Sequence, residues 1–222
     1  MLILEALAAI FGLVSVYLLT RQSIWAWPTG LVSVAVAALV FYDSFLYSDM
    51  LLHVYYIGMN VYGWVYWLRG GPRDAELPVT TMTWRQNVSW VVVTVVLTLA
   101  WGWSMSHLDV IAGWVLAHIS GSIAWAQAWS SGGAPTPAFP YGDAFTTVAS
   151  LVAMWFMARK RLENWAYWFI IDVVAIVIYA LKGLYLFSGQ YIIFLILCIM
   201  GYRGWSRSMS APLEASKDPL YP

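Results

Sequence analysis

Three apolar segments in residues 9–68 recur as three more in residues 149–209, about 140 positions further on. A chain made of such stretches is confined to helices that cross a bilayer, because lipid satisfies no backbone polar group and each crossing needs about 20 mainly apolar residues. A set of three that recurs confines it further, to two like bundles. Ser23-Ile24-Trp25-Ala26 lies over Glu163-Asn164-Trp165-Ala166 at an offset of 140. Each quartet opens a helix behind a cationic turn, Arg21 in the first copy and Arg159-Lys160-Arg161 in the second. After a one-residue slip Gly63-Trp64 falls over Gly204-Trp205, and the third segments begin at Asp49 and near Gln190.

Composition excludes a soluble domain. With 62% hydrophobic residues, 10% charged residues and a mean hydropathy of +0.71, the chain has too few charges to cover a water-facing surface. A net charge of zero gives a nucleic-acid partner no basis. The single cysteine, Cys198, excludes an internal disulfide or a cysteine metal cluster and reads as a small core residue. No cofactor or metal is implied.

Helices are expected near residues 3–20, 24–45, 49–68, 87–105, 143–158, 164–185 and 189–206, which makes an all-α integral membrane protein of seven spans. The first is expected to be retained, since no basic region precedes it as in a signal peptide. The stretch Leu108 to Trp129 is diluted by His118, Ser120, Ser122 and Gln127 and runs into the breaker-rich Ser130 to Pro140. Lysine and arginine decide whether it crosses. With the N-terminus outside and seven spans, ten of the eleven cationic side chains fall inside and only Lys182 outside. An eighth span would expose Arg159-Lys160-Arg161. Leu108 to Trp129 is therefore placed along the outer interface or re-entering, and the expected fold is two parallel three-helix bundles joined by one linker helix. The divisions are a first bundle at 1–70, linker helix and outer segment at 71–142, a second bundle at 143–209 and a cytoplasmic tail at 210–222. Internal repeats with a substrate held between them are a recurrent plan of secondary transporters.

Fifteen tryptophans in 222 residues exceed what packing requires. Trp84, Trp90, Trp101 and Trp103 read as an interfacial belt. Trp64 with Trp67, and Trp165 with Trp168, differ: each pair is spaced i, i+3 and shares a helical face. Asn60 stands four residues before Trp64, and Asp172 four after Trp168. An aspartate at a span centre costs about 2.5 to 3.5 kcal/mol and normally faces a cavity. Packing roles remain open for both, Asn60 as interhelical glue and Asp172 paired with Tyr179 or a neighbouring helix. The candidate binding set is Asn60, Trp64, Trp67, Trp165, Trp168 and Asp172, with Tyr55, Tyr56, Tyr179 and Gln190 on adjoining turns.

Asn60-Val61-Tyr62-Gly63-Trp64-Val65-Tyr66-Trp67-Leu68-Arg69-Gly70 closely resembles the signature of the bacterial nicotinamide riboside transporters called PnuC. So do Tyr141-Gly142-Asp143-Ala144, Glu163 to Trp168, Lys182-Gly183-Leu184-Tyr185 and Gly201 to Trp205, so that most of the chain outside Met105 to Pro140 takes part. The resemblance implies a fold similar to the SWEET sugar transporters, a homotrimer in the bacterial inner membrane, and facilitated diffusion of nicotinamide riboside. It also implies trapping by a cytoplasmic riboside kinase that feeds NAD biosynthesis. Thiamine and riboflavin transporters share this scaffold. The riboside's pyridinium is a flat cation suited to indole faces and its hydroxyls need amide or carboxylate partners. No basic pocket within the spans suits a phosphate, so the mononucleotide is expected to be refused. No chain of acids and histidines joins the two faces, which makes uniport the simplest reading. Pro28, Gly30, Gly63 and Gly183 are candidate bending points for alternating access.

Two other classes fit less well. A retinal photoreceptor would use Lys182, which lies at the outer end of its span with no carboxylate on the third span. A membrane enzyme would use His53, His118 and an acid, but the histidines show no HExxH spacing.

Overall fold

The computed structural model describes residues 2–43, 47–70, 77–107, 139–181, 183 and 185–210, and among these the chain forms seven helices and no strand. They are α1 (Leu2–Thr20), α2 (Ala26–Asp43), α3 (Tyr47–Arg69), α4 (Trp84–Ser106), α5 (Pro140–Ala158), α6 (Asn164–Leu181) and α7 (Tyr185–Ser210). Each lies within a few residues of its expected position, except that α6 stops at Leu181 ahead of Gly183, whose φ of 74° ends the helix. Leu108 to Trp129, His118, Lys182 and the tail beyond Ser210 lie outside the described residues. Ile3–Thr20, Trp84–Ser106 and Asn164–Leu181 are long and apolar enough to cross a membrane on their own sequence. Outward the surface is oily: α4 alone exposes Val91, Val92, Val96 and Leu99 by half or more.

The second helix of each set, α2 or α6, packs between the first and the third, and the sets meet where α1 touches α7 and α3 touches α5. The turn between α1 and α2 is copied in the turn between α5 and α6. Gln22 and Lys160 are the two non-glycine residues with positive φ among those described, at 55° and 48°. Around them Ser23 N–H donates to Leu18 O and Arg161 N–H to Phe156 O, while Trp27 N–H donates to Ile24 O and Trp165 N–H to Leu162 O. The two turns touch, with Lys160 Nζ donating to Gln22 Oε1 at 3.3 Å. Since both turns close at one end of the molecule, α1 and α5 run parallel, and so do the two triplets.

These equivalences correct the register expected from the sequence. Trp27 and Trp165, Gly63 and Gly201, and Trp67 and Trp205 each stand 138 residues apart, with no slip between them. Trp25 is the residue that the sequence placed over Trp165. It is 67% exposed against 1% for Trp165, so burial decides for Trp27. The glycines explain the strictness of the match: a Cβ on Gly63 would enter the ring of Trp27, and one on Gly201 the ring of Trp165. Gly63→Ala and Gly201→Ala are therefore expected to destabilise the protein alike, by about 1 to 3 kcal/mol each. Thermal unfolding in detergent checks this, and an effect confined to one of the two would break the equivalence.

Among the described residues the second triplet alone carries a bridge to the linker. Thr80, in the chain leading to α4, forms a parallel bridge to Arg161: Thr80 N–H donates to Lys160 O at 3.0 Å and Leu162 N–H to Thr80 O at 2.9 Å. Leu77 and Val79 are buried beside it, and Glu163 accepts from Met82 N–H. A capping box of Thr83 and Gln86 then starts α4, which packs on α5. The linker helix is thereby fastened to the second triplet. Trp90, expected in the interfacial belt, takes part in this packing edge-on to Phe156 at 5.1 Å, whereas Trp84, Trp101 and Trp103 are exposed as expected.

Candidate functional site

At the end where the turns meet, four indoles interlock. Trp27 stands edge-on to Trp67 at 5.2 Å and 85°, and Trp165 edge-on to Trp205 at 5.4 Å and 88°. Trp67 and Trp205 lie 5.8 Å apart and join the two pairs. Each of these two bonds across to the other triplet, Trp67 Nε1 to Ala158 O at 3.1 Å and Trp205 Nε1 to Leu19 O at 2.9 Å. Both acceptors are carbonyls of a last helical turn, which lack an intrahelical donor and bind an indole N–H well. Lys160 Nζ sits 4.4 Å from the Trp67 ring. Trp67 and Trp165, chosen from the sequence as ligand stacks, are thus covered by other rings and by chain in this conformation. Trp27 and Trp205 were missed, though the 138-residue spacing that they share with Trp165 and Trp67 was available in the sequence.

The remaining candidates lie nearer the helix middles. Asn60 is buried, its Nδ2 donating to Tyr56 O at 2.9 Å. Its Oδ1 lies against Gly30 beside Ser15 Oγ, where any Cβ on α2 would displace it. Asp172 is also buried and accepts from Cys198 Sγ at 3.3 Å. That thiol, expected as inert packing, partners the acid from the neighbouring helix. Tyr179 stacks on Tyr191 at 5.4 Å and 16°. Tyr191 stands close enough for Asp172, Tyr56 and Tyr179 all to act on its hydroxyl. It was missed in favour of its neighbour Gln190, although Tyr191 and Cys198, seven residues apart, share a helical face.

On the α3 side Tyr55 OH donates to Leu151 O at 3.1 Å, and Tyr56 hydrogen-bonds Ser150. Trp64 and Trp168 are half-buried at the edge of the core, so that each keeps ring surface uncovered. The structure therefore sorts the ten candidates. Asp172, Tyr56 and Tyr179 gather round Tyr191 with Cys198 and Ser150, and Tyr55 lies beside Tyr56. Asn60 stands apart, against Gly30 and Ser15, Trp64 and Trp168 lie at the edge of the core, and Gln190 is half-buried next to Tyr191. Trp67 and Trp165 belong to the interlock. Arg159 and Lys160 stand at the turn end, Arg159 over the Trp155 ring at 4.5 Å and Lys160 over Trp67. An apolar groove of about 490 Å³ between Phe139–Gly142 and Val173–Ile178 opens elsewhere and presents almost no polar surface.

A model of the family described as nicotinamide mononucleotide transporter matches residues 2–207. The nicotinamide riboside transporter PnuC of Escherichia coli (strain K12) is 31% identical over 210 residues, covering 92% of this chain and 85% of that protein. The riboflavin/roseoflavin transporter RibM of Streptomyces davaonensis is 28% identical, covering 92% and 86%. The crystal structure of the vitamin B3 transporter PnuC superposes with a TM-score of 0.64 at 24% identity, covering 93% of this chain and 82% of that one, which shows the common fold. The chain belongs to the nicotinamide mononucleotide transporter family, the PnuC family, and is a membrane transporter and not an enzyme.

Proposed function

We propose that this transporter takes up nicotinamide riboside by facilitated diffusion, in a homotrimer of the bacterial inner membrane, and that a cytoplasmic kinase traps the product. The observation that carries the reading is the 31% identity to a nicotinamide riboside transporter over 92% of the chain. The site supports it. Trp64 and Trp168 would stack on the pyridinium, and Asn60 and Asp172 would take ribose hydroxyls, with Tyr55, Tyr56, Tyr179 and Gln190 in reserve. Two stacks at about 1 to 3 kcal/mol and four hydrogen bonds at about 0.5 to 1.5 kcal/mol sum to roughly the 8 kcal/mol of a micromolar site. Although the family is described by the mononucleotide, Arg159 and Lys160 are engaged at the turn end over the rings of Trp155 and Trp67, which favours the riboside over its phosphate.

Residues 1–70 and 143–209 would rock against each other, exposing the site first outside and then inside. The turn end, with Arg21 and Arg159-Lys160-Arg161, is assigned to the cytoplasm by the ten-to-one charge count. An alkaline phosphatase fused after Pro222 is accordingly expected to be inactive, and activity there would reverse the orientation.

The match to RibM gives a second reading, riboflavin, whose flat ring asks for the same stacking. Liposomes decide between them. Protein reconstituted and sized as a trimer by light scattering is offered nicotinamide riboside, nicotinamide mononucleotide, thiamine and riboflavin, with and without a trapped kinase. The expected result is equilibration of the riboside alone, and accumulation only with kinase. Accumulation driven by an ion gradient without kinase would end the uniport reading.

A further inference from the structure

We propose that the two seams between the triplets do different work: the α3–α5 seam is the hinge of the transporter, and the α1–α7 seam is the one that parts. The inference rests on the alternating-access reading and adds to it a place where the molecule opens.

By the internal symmetry the seams should be equivalent, and at the turn end they are. Trp67 bonds Ala158 O on one side and Trp205 bonds Leu19 O on the other. Away from that end they diverge. Along α3–α5, Tyr56 meets Ser150, Tyr55 OH reaches Leu151 O, and Tyr62 stacks on Trp155 at 5.6 Å and 7°. Arg159 lies over the rings of Trp155 and Tyr66, at 4.5 and 5.1 Å. From Tyr55 to Trp67 these ties run through 12 residues of α3, or about 18 Å of helix. That seam is closed along most of its length.

The positions 138 residues away on the α1–α7 seam cannot do the same. Tyr55, Tyr56 and Tyr62 correspond to Ile193, Phe194 and Met200, and Ser150 and Leu151 to Gly12 and Leu13. The counterparts of Trp155 and Arg159 are Tyr17 and Arg21, both exposed. Among the described residues the hydrogen bonds between α1 or its turn and α7 are confined to the turn end: Trp205 to Leu19 O, and Gln22 Nε2 to Ser208 Oγ at 2.7 Å. Gly204 lets the helices approach there, since a Cβ on it would stand 3.1 Å from Thr20 O. Two bodies tied along one edge and latched only at the end of the other open about the tied edge. Opening then costs the bonds of Trp205 and Gln22, and leaves the aromatic ladder of α3 and α5 in place.

Reversible cross-links test this in the full-length protein, each variant being compared with itself before and after reduction. Gln22→Cys with Ser208→Cys pins the α1–α7 seam, and Tyr62→Cys with Trp155→Cys, joined by a short bis-methanethiosulfonate linker, pins the α3–α5 seam. The parent chain, whose Cys198 is buried, controls for the reagents. Pinning α1 to α7 is expected to cut nicotinamide riboside uptake at least about tenfold and reversibly, while pinning α3 to α5 changes it less than about twofold. Should the first pair fail to fold, Thr20→Cys with Gly204→Cys replaces it on the same seam. If both pins block uptake, the triplets rock symmetrically and the hinge assignment is overturned while alternating access stands. If neither blocks it, alternating access falls as well. A block by the α3–α5 pin alone reverses the assignment and overturns it.

Discussion

Trp205→Ala is expected to lower the thermal unfolding temperature of the detergent-solubilised protein more than any other single truncation of a tryptophan. The ring is fully buried, touches Trp67 and Trp165, and bonds α7 to α1 through Leu19 O. Removing a large aromatic from a close-packed site costs about 3 to 5 kcal/mol. At about 2 to 4 °C per kcal/mol for a chain of this size, the fall is roughly 6 to 20 °C. Packing rather than water exclusion carries most of the term, because the surroundings of a membrane protein are as apolar as its core. Trp205→Phe separates the ring from its N–H. It keeps most of the packing and removes one of the two donors to Leu19 O, Gln22 N–H remaining at 3.0 Å, for about 0.5 to 1.5 kcal/mol. A Trp205→Ala protein that melts with the parent would show that the interlock contributes nothing to the fold.

The second large effect is on affinity. Trp168→Ala is expected to weaken nicotinamide riboside binding by about 1 to 3 kcal/mol, or roughly 5- to 150-fold, by removing one stacking face. Asn60→Ala removes an amide from beside Gly30 and Ser15 and is expected to weaken binding by about 0.5 to 1.5 kcal/mol for each hydrogen bond lost. Trp103→Ala is the control, since Trp103 is more than half exposed and stacks on His107 at the end of α4. Titration calorimetry in detergent reads all three. Should Trp168→Ala and Asn60→Ala bind as tightly as the parent while Trp103→Ala does not, the site lies elsewhere.

The sequence made the helices legible because apolar runs of this length have few alternatives in a bilayer, and all seven lie close to where hydropathy put them. Its internal register was not legible from residue identity alone. The dipeptide Trp-Ala occurs at 25–26 and at 165–166, and that coincidence outweighed the pairing of Trp27 with Trp165, whose following residues are Pro28 and Ala166. Burial distinguishes the two tryptophans, and burial is what a uniformly apolar helix hides. The left-handed turn residues were equally silent, since neither Gln22 nor Lys160 carries the glycine signal for positive φ. For the site, spacing found Asn60 and Asp172 because a polar group in a span is conspicuous. Tyr191 and Cys198 escaped because tyrosine and cysteine are ordinary there, and only the third dimension brings them to Asp172 and Tyr179.

The bond from Trp205 to Leu19 spans 186 positions of the chain, nearly its whole length. In a cell the first helix reaches the membrane long before its partner has been translated. At about 5 to 20 residues per second the wait is roughly 9 to 37 s. Through that interval the first triplet presents an unfinished flank to the lipid and to the insertion machinery, and the terminal carbonyls of α1 have no indole to meet. The last segment made is the one that closes the molecule. Ribosomal pauses or premature stops ahead of Tyr185 therefore leave a chain with six helices in place and no latch, a substrate for the membrane's quality-control proteases.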